Sequence, residues 1–219
     1  MGKKEALEYI DSKAELVTEV SDKIWGYAEL SLMEHQSSEL YVEVLKKEGF
    51  QVETPVCGIE TAYIASYGSG KPIIGILAEY DALSGLSQEA GAVERKEVIP
   101  GGHGHGCGHN LLGAGSAAAG IALAQLVDEG LPATVVVYGT PAEETLAGKT
   151  IMIENGYFRD VDVCLAWHPL DHNDPGEVKF KAAEALTFTF HGRAAHACNC
   201  PENGRSALDA AELTNIGVN

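Results

Sequence analysis

The sequence predicts an α/β fold, a mostly parallel sheet with helices on both faces, followed by the start of a second unit of α+β type. Three observations carry this. Continuous apolar runs of strand length (residues 72–80, 133–140 and 161–168) lack polar alternation, as strands buried on both faces do. Segments of helical length and period separate them, the arrangement expected of a parallel sheet. After Pro175 the pattern changes to strand-like alternation, "EVKFKAAEALTFTFHG", and then to one helical stretch, "GRSALDAAELTNIG". The boundary is expected near residue 183, giving units 1–183 and 184–219, the second too short for a core of its own.

Taken in order, the apolar positions Leu7, Ile10, Ala14, Val17, Val20, Ile24 and Tyr27 recur every three or four residues and predict one long opening helix. A second helix is expected over 38–47, ending at Gly49 with lysines in its last turn. "TAYIASY" (61–67) is β-rich, and "PIIGILAEY" (72–80) reads as a buried strand. "LLGAGSAAAGIALAQLV" (111–127) has helical length and small residues suited to close packing on a sheet. "ATVVVYGT" (133–140) is a strand, "GKTIMIENGYF" a short helix, and "VDVCLAWH" (161–168) a further strand with Cys164 as a small core hydrophobe.

Composition narrows the function. With 45% hydrophobic and 21% charged residues the chain is globular. Acidic residues outnumber basic ones 32 to 15, and the net charge of −17 repels phosphate backbones and anionic headgroups, so neither nucleic acid nor a membrane is an expected partner. The opening "MGKKEALEYIDSK" lacks an apolar signal core, and no run of about eighteen apolar residues occurs. Five cysteines without a CxxC pair suit a reducing compartment, and a cytoplasmic location is expected.

In parallel sheets ligands sit beyond the carboxyl ends of the strands. Here the apolar runs empty into Glu79 and Asp81, into Glu143 and Glu144, and into His168. A glycine-rich loop, "GGHGHGCGHN" (101–110), adds Cys107 and His109, whose alternate spacing lets both side chains point the same way. His, Cys and carboxylates on one rim are the donors that bind zinc, manganese or cobalt. Taken alone, the loop reads equally as a solvated mobile segment, and His103 and His105 as exposed residues or as outer supports of the ligands. Adjacent Glu143 and Glu144 cannot both face inward from a regular strand, so one can hold a metal while the other takes a proton from water. A nucleotide cradle is excluded: "AGKT" (147–150) resembles a P-loop ending, but the position of its first glycine holds Glu143.

The ordered motifs "LAEYDALSGLSQEAG", "GHGHGCGHNLLG", "PAEET", "AWHP" and "GRAAHA…P…GRSALDA" resemble the aminobenzoyl-glutamate utilisation protein B group, metal-dependent amidohydrolases related to carboxypeptidase G and aminoacylase. The resemblance implies a catalytic α/β domain interrupted by a lid domain. The lid would mediate a homodimer or hetero-oligomer, and the site would take two divalent ions, manganese or zinc. By this resemblance Cys107, His109, Glu144 and His168 are metal ligands and Glu143 the general base. Asp81 would orient the site, Glu79 stands where relatives carry an acid or a ligand, and His196 would steady the oxyanion across a dimer. The implied substrate is a small molecule with an amide bond, an N-acyl amino acid or a dipeptide-like compound such as aminobenzoyl-glutamate. Asn110 replaces an aspartate common in related enzymes, and Cys198 and Cys200 stand where small residues are usual. Chains of the group continue through the lid and return to the catalytic domain with a final ligand histidine, so the alternative is a truncated, non-catalytic fragment that binds metal or a partner.

Overall fold

The computed structural model describes residues 3–174 and 186–219, in two compact units, Met1–His172 and Asn173–Asn219. The boundary expected at residue 183 lies outside the described residues, as does the first part of the alternating segment that follows Pro175.

The first unit opens with α1 (Lys3–Ser12) and α2 (Ala14–Tyr27), where periodicity predicts one continuous helix. The break falls at Lys13, which leaves helical geometry and pairs its ammonium with Glu48 at 2.7 Å. Glu48 caps the C-terminus of α3 (His35–Lys47), so this pair ties the break to the end of the next helix. Gly49 follows at φ +89°, a left-handed turn that glycine adopts without steric penalty.

Five strands follow: β1 (Gln51–Glu53), β2 (Tyr63–Gly68), β3 (Ile73–Ala78), β4 (Thr134–Gly139) and β5 (Val163–Leu165), in sheet order β1-β2-β4-β3-β5. The α/β class is as the sequence predicts, and β3 is parallel to both β4 and β5. β1 and β2 add an antiparallel flank. The reason is connection length: residues 69–72 between β2 and β3 are too few for a parallel crossover, which needs a dozen or more residues.

Between β3 and β4 runs α4 (His109–Asp128), and α5 (Gly148–Glu154) follows β4. Alternation along β4 divides the interior. Val135 and Val137 join Tyr63, Ala65, Ile76 and Ala78 beneath the helical layer of α2, α3 and α4. Val136 and Tyr138 face the other way, onto Met152 of α5 and onto Phe158. The small residues of α4 let it lie close to the sheet: a Cβ at Gly120 would stand 2.4 Å from a Val137 methyl, and one at Gly113 2.6 Å from the Glu79 carbonyl oxygen. α4 is long and apolar enough to cross a membrane by length and composition, but 61% of its apolar window is buried inside the fold, as in a core helix.

β5 departs from expectation. It forms three residues at the sheet edge, paired among the described residues with β3 only, and leaves Val163, Leu165 and Trp167 exposed. Cys164, expected in the core, is exposed with them. In the second unit, residues 186–192 form no strand, and a bridge joins Arg193 to Arg205. The helix expected here is α6 (Ala207–Val218), with Ser206 Oγ accepting the Asp209 amide at 3.0 Å as its N-cap.

Candidate metal centre

Because β3, β4 and β5 run parallel, their carboxyl ends open on one rim. Glu79 and Asp81 follow β3, Glu143 and Glu144 follow β4, and His168 follows β5. The glycine-rich loop delivers Cys107 through Gly108, which holds φ +83° as the N-cap of α4 and lies against Pro169, where a Cβ would come within 3.1 Å of the ring. His109 is the first residue of α4 and is fully buried.

His109 Nδ1 lies 3.0 Å from Asp81 Oδ1 and 3.1 Å from the Asp81 carbonyl oxygen. Both are acceptors, which assigns the proton to Nδ1 and turns the Nε2 lone pair toward the rim. There Nε2 stands 3.2 Å from Glu79 Oε2 and 3.7 Å from Glu143 Oε2. Glu79 Oε2 and His109 Nε2 are near each other yet form no aligned hydrogen bond, and Glu144 Oε1 is likewise buried without a partner among the described residues. Such acceptors cost free energy when buried unsatisfied, and a cation between Glu79 Oε2 and His109 Nε2 would satisfy those two.

Two sets of donor atoms lie within 4.8 Å of one another: Cys107, His109 and His168, and Glu79, His109 and Glu143. Cys107 Sγ is 3.3 Å from His168 Nε2. His168 Nδ1 sits 3.0 Å from the Pro169 carbonyl oxygen and donates to it, which leaves the Nε2 lone pair facing Cys107 Sγ. The mixture of one thiol, two imidazoles and several carboxylates fits a divalent transition ion.

The local charges fit it as well. Burial pushes the Cys107 thiol up to about 12, with the carboxylates of Glu144, Glu143 and Glu79 adding to it, so a nearby cation would be needed to hold the thiolate. Burial lowers His109, but the hydrogen bond to Asp81 and the charges of Asp81, Glu79 and Glu144 outweigh it and raise its pKa. In Asp81 burial acts upward, and bonds from His109, the Glu144 amide and Ser31 overcome it, so its carboxyl is held low. Burial and the neighbouring Glu79 raise Glu143, against the pull of Lys149 and His109.

Of the residues expected at the site, the first unit brings together Glu79, Asp81, Cys107, His109, Glu143, Glu144 and His168. Glu144 lies 4.0 Å from His109 Nδ1 through Oε1, and its amide donates to Asp81 Oδ2 at 2.9 Å. His196 belongs to the second unit, where it is exposed and its Nδ1 accepts the Cys198 amide at 3.2 Å. His103 is exposed. His105 is a core histidine: Nε2 donates to the Ile24 carbonyl at 3.0 Å, and burial lowers its pKa to about 4. Asn110 donates to Ser21 Oγ at 3.0 Å and so ties the start of α4 to α2.

Three residues that sequence reasoning did not select also reach the rim. Lys149 Nζ lies 2.6 Å from Glu79 Oε1, Ser31 Oγ donates to Asp81 Oδ2 at 2.8 Å, and Glu34 accepts the Ala142 amide at 2.8 Å. Their partners are 70, 50 and 108 positions away in the chain, so no local pattern signals them.

Comparison with known proteins bears directly on this rim. The family model for peptidase family M20/M25/M40 matches residues 75–215, more than half of the chain. One of the subunits of the p-aminobenzoyl-glutamate hydrolase of Escherichia coli (strain K12) is 44% identical over 96% of this chain and 44% of its own length. The Xaa-Arg dipeptidase of Homo sapiens is 33% identical over 94% of this chain and 47% of its own. The chain thus spans under half the length of these curated relatives. A crystal structure of an aminobenzoyl-glutamate utilization protein from Klebsiella pneumoniae has the same fold, with a TM-score of 0.64 at 19% identity, covering 94% of this chain and 58% of that one.

Proposed function

The chain belongs to peptidase family M20/M25/M40, and from that premise we propose that its rim hydrolyses an amide bond in a small N-acyl amino acid or dipeptide-like substrate, such as aminobenzoyl-glutamate. One observation carries the reading: two sets of donor atoms, Cys107, His109 and His168, and Glu79, His109 and Glu143, share His109, where Glu79 Oε2 and His109 Nε2 are buried without a hydrogen-bond partner among the described residues. It supports a metal-holding rim, and the likeness to a hydrolase subunit favours hydrolysis over the truncated, non-catalytic metal- or partner-binding alternative.

Cys107, His109, Glu144 and His168 would hold two divalent ions, with zinc suited to the thiol and imidazoles and manganese to the carboxylates. When bound, the ions supply Lewis acidity toward water and a carbonyl oxygen. Glu143 is the general base. Its raised pKa brings it closer to the range in which a carboxylate can take a proton from water and return it to a leaving amine. Asp81 holds the His109 ring in the tautomer that presents Nε2, and Lys149 offsets the charge of Glu79. His196 would steady the developing oxyanion from the lid, a role that rests on the motif "GRAAHA".

The division into a catalytic part, 1–183, and a lid beginning at 184 belongs to the same reading, as does a cytoplasmic location. Assembly into a homodimer or hetero-oligomer through the lid is supported by the name of the 44% identical relative, which is one subunit of a hydrolase. The test is Glu143→Gln. Elemental analysis is expected to find the same metal content as in the unaltered protein, while hydrolysis of aminobenzoyl-glutamate and of a panel of N-acyl amino acids falls by about 100-fold or more. Loss of metal from this variant would move Glu143 into the ligand set and refute its assignment as base.

A further inference from the structure

Glu34 is the most secluded carboxylate in the first unit that the proposed chemistry leaves unused. It is fully buried at the N-cap of α3, and both of its oxygens are engaged: Oε1 accepts the Ala142 amide at 2.8 Å and Oε2 accepts Thr61 Oγ1 at 3.0 Å. Ala142 is itself fully buried and holds φ +59°, a left-handed conformation that crowds the Cβ of an L-residue. Such a conformation persists only where its surroundings over-determine it.

The surroundings of Ala142 act on both sides of the residue. Its carbonyl oxygen accepts the Ala147 amide at 3.1 Å and Thr145 Oγ1 at 3.3 Å. Gly148 closes the turn from beyond, so near Pro141 that a Cβ would stand 1.9 Å from the Pro141 carbonyl oxygen. On the amide side the bond is to Glu34, across 108 positions of chain. Immediately after this residue come Glu143 and Glu144, whose side chains both approach the His109 ring, Glu143 Oε2 at 3.7 Å from Nε2 and Glu144 Oε1 at 4.0 Å from Nδ1, while the Glu144 backbone amide donates to Asp81. In a regular strand two consecutive side chains point to opposite faces, but residues 143–146 form a turn, which the left-handed Ala142 opens.

We infer that Glu34 is a positioning residue: by accepting the Ala142 amide it locks the left-handed turn that presents Glu143 and Glu144 together to the metal centre. The inference rests on the reading that these two glutamates perform the chemistry. Glu34 belongs to neither set of donor atoms and acts only through the turn.

Four variants and two readouts test it. Hydrogen exchange at the Ala142 amide reports the lock itself. Titration with cobalt, followed through the thiolate charge-transfer absorption of Cys107, reports the ligand set without need of turnover. Glu34→Ala removes the acceptor, and Glu34→Asp withdraws it by one methylene while keeping the charge. Both are expected to speed Ala142 exchange, by about tenfold for the loss of one hydrogen bond, and to weaken cobalt binding. Glu34→Gln keeps an acceptor at Oε1, and Thr61→Val removes only the other partner, so both are expected to leave the two readouts near those of the unaltered protein. Should Glu34→Ala fail to fold, Glu34→Asp carries the comparison. Unchanged Ala142 exchange in Glu34→Asp, or an equal effect from Thr61→Val, would overturn the inference. Faster exchange and weaker cobalt binding in a protein that never shows hydrolysis would instead sink the proposed function and leave the lock standing.

Discussion

Asp81→Asn is a change of one atom whose consequence can be worked out from donors and acceptors alone. The Asp81 carboxylate takes three hydrogen bonds, from His109 Nδ1 at 3.0 Å, from Ser31 Oγ at 2.8 Å and from the Glu144 amide at 2.9 Å. An asparagine has one acceptor oxygen and one NH2 group, and neither placement suits this site. If the NH2 group faces Glu144, two N–H groups oppose each other, and a buried unsatisfied donor costs about 1–3 kcal/mol. If it faces His109, the imidazole must accept at Nδ1, its proton moves to Nε2, and the atom that would meet the metal is blocked. Removing the partner that orients a ligand histidine costs about 10–100-fold in metal affinity, or about 1.4–2.7 kcal/mol. Equilibrium dialysis with manganese or zinc measures that loss, and thermal unfolding in chelator measures the first cost separately. An Asn variant that binds metal with unaltered affinity would refute both the tautomer assigned to His109 and the role given to Asp81.

The interior supplies two further tests. His105 has its pKa lowered from 6.5 to about 4 by burial, so between these values the unfolded chain binds more protons and stability falls as the pH drops. The contribution is present in full above pH 6.5 and lost on the way to pH 4, on the order of 3 kcal/mol, and His105→Gln should flatten that limb in chemical denaturation series run across this range. A limb as steep in the variant as in the unaltered protein would show that other groups produce it. Gly120→Ala brings a methyl to 2.4 Å from Val137, and overpacking of this kind is expected to destabilise by about 1–3 kcal/mol in the same assay. A stabilised variant would mean that α4 can move off the sheet without cost.

The residues legible in the sequence are those that strands and spacing deliver directly. Cys107 and His109 alternate in a loop that enters a helix, Glu143 and Glu144 follow a buried strand, and His168 ends another. Their meeting on one rim follows once β3, β4 and β5 are parallel. What is not legible depends on partners far along the chain. Nothing near Lys149 points to Glu79, and nothing in the α2–α3 connection announces that Ser31 and Glu34 support two different strand exits. Apolar periodicity runs unbroken through Lys13 because the break serves an ion pair with Glu48, which periodicity does not register. The run 161–168 reads as a buried strand because its composition is that of a core, while its place at the sheet edge is set by pairing order.

That edge has a consequence for how an ion would come and go. His109 begins a helix whose glycines lie against the sheet and is fully enclosed, and Asp81 behind it is 1% exposed, so this wall can loosen only if the core does. His168 stands at the opposite margin, exposed, just beyond a three-residue strand that is paired on one side among the described residues. The ring of donors therefore has a hinge side and a latch side. Exchange of the ion would proceed through the latch, and its rate would follow fraying of the β5 end rather than unfolding of the domain.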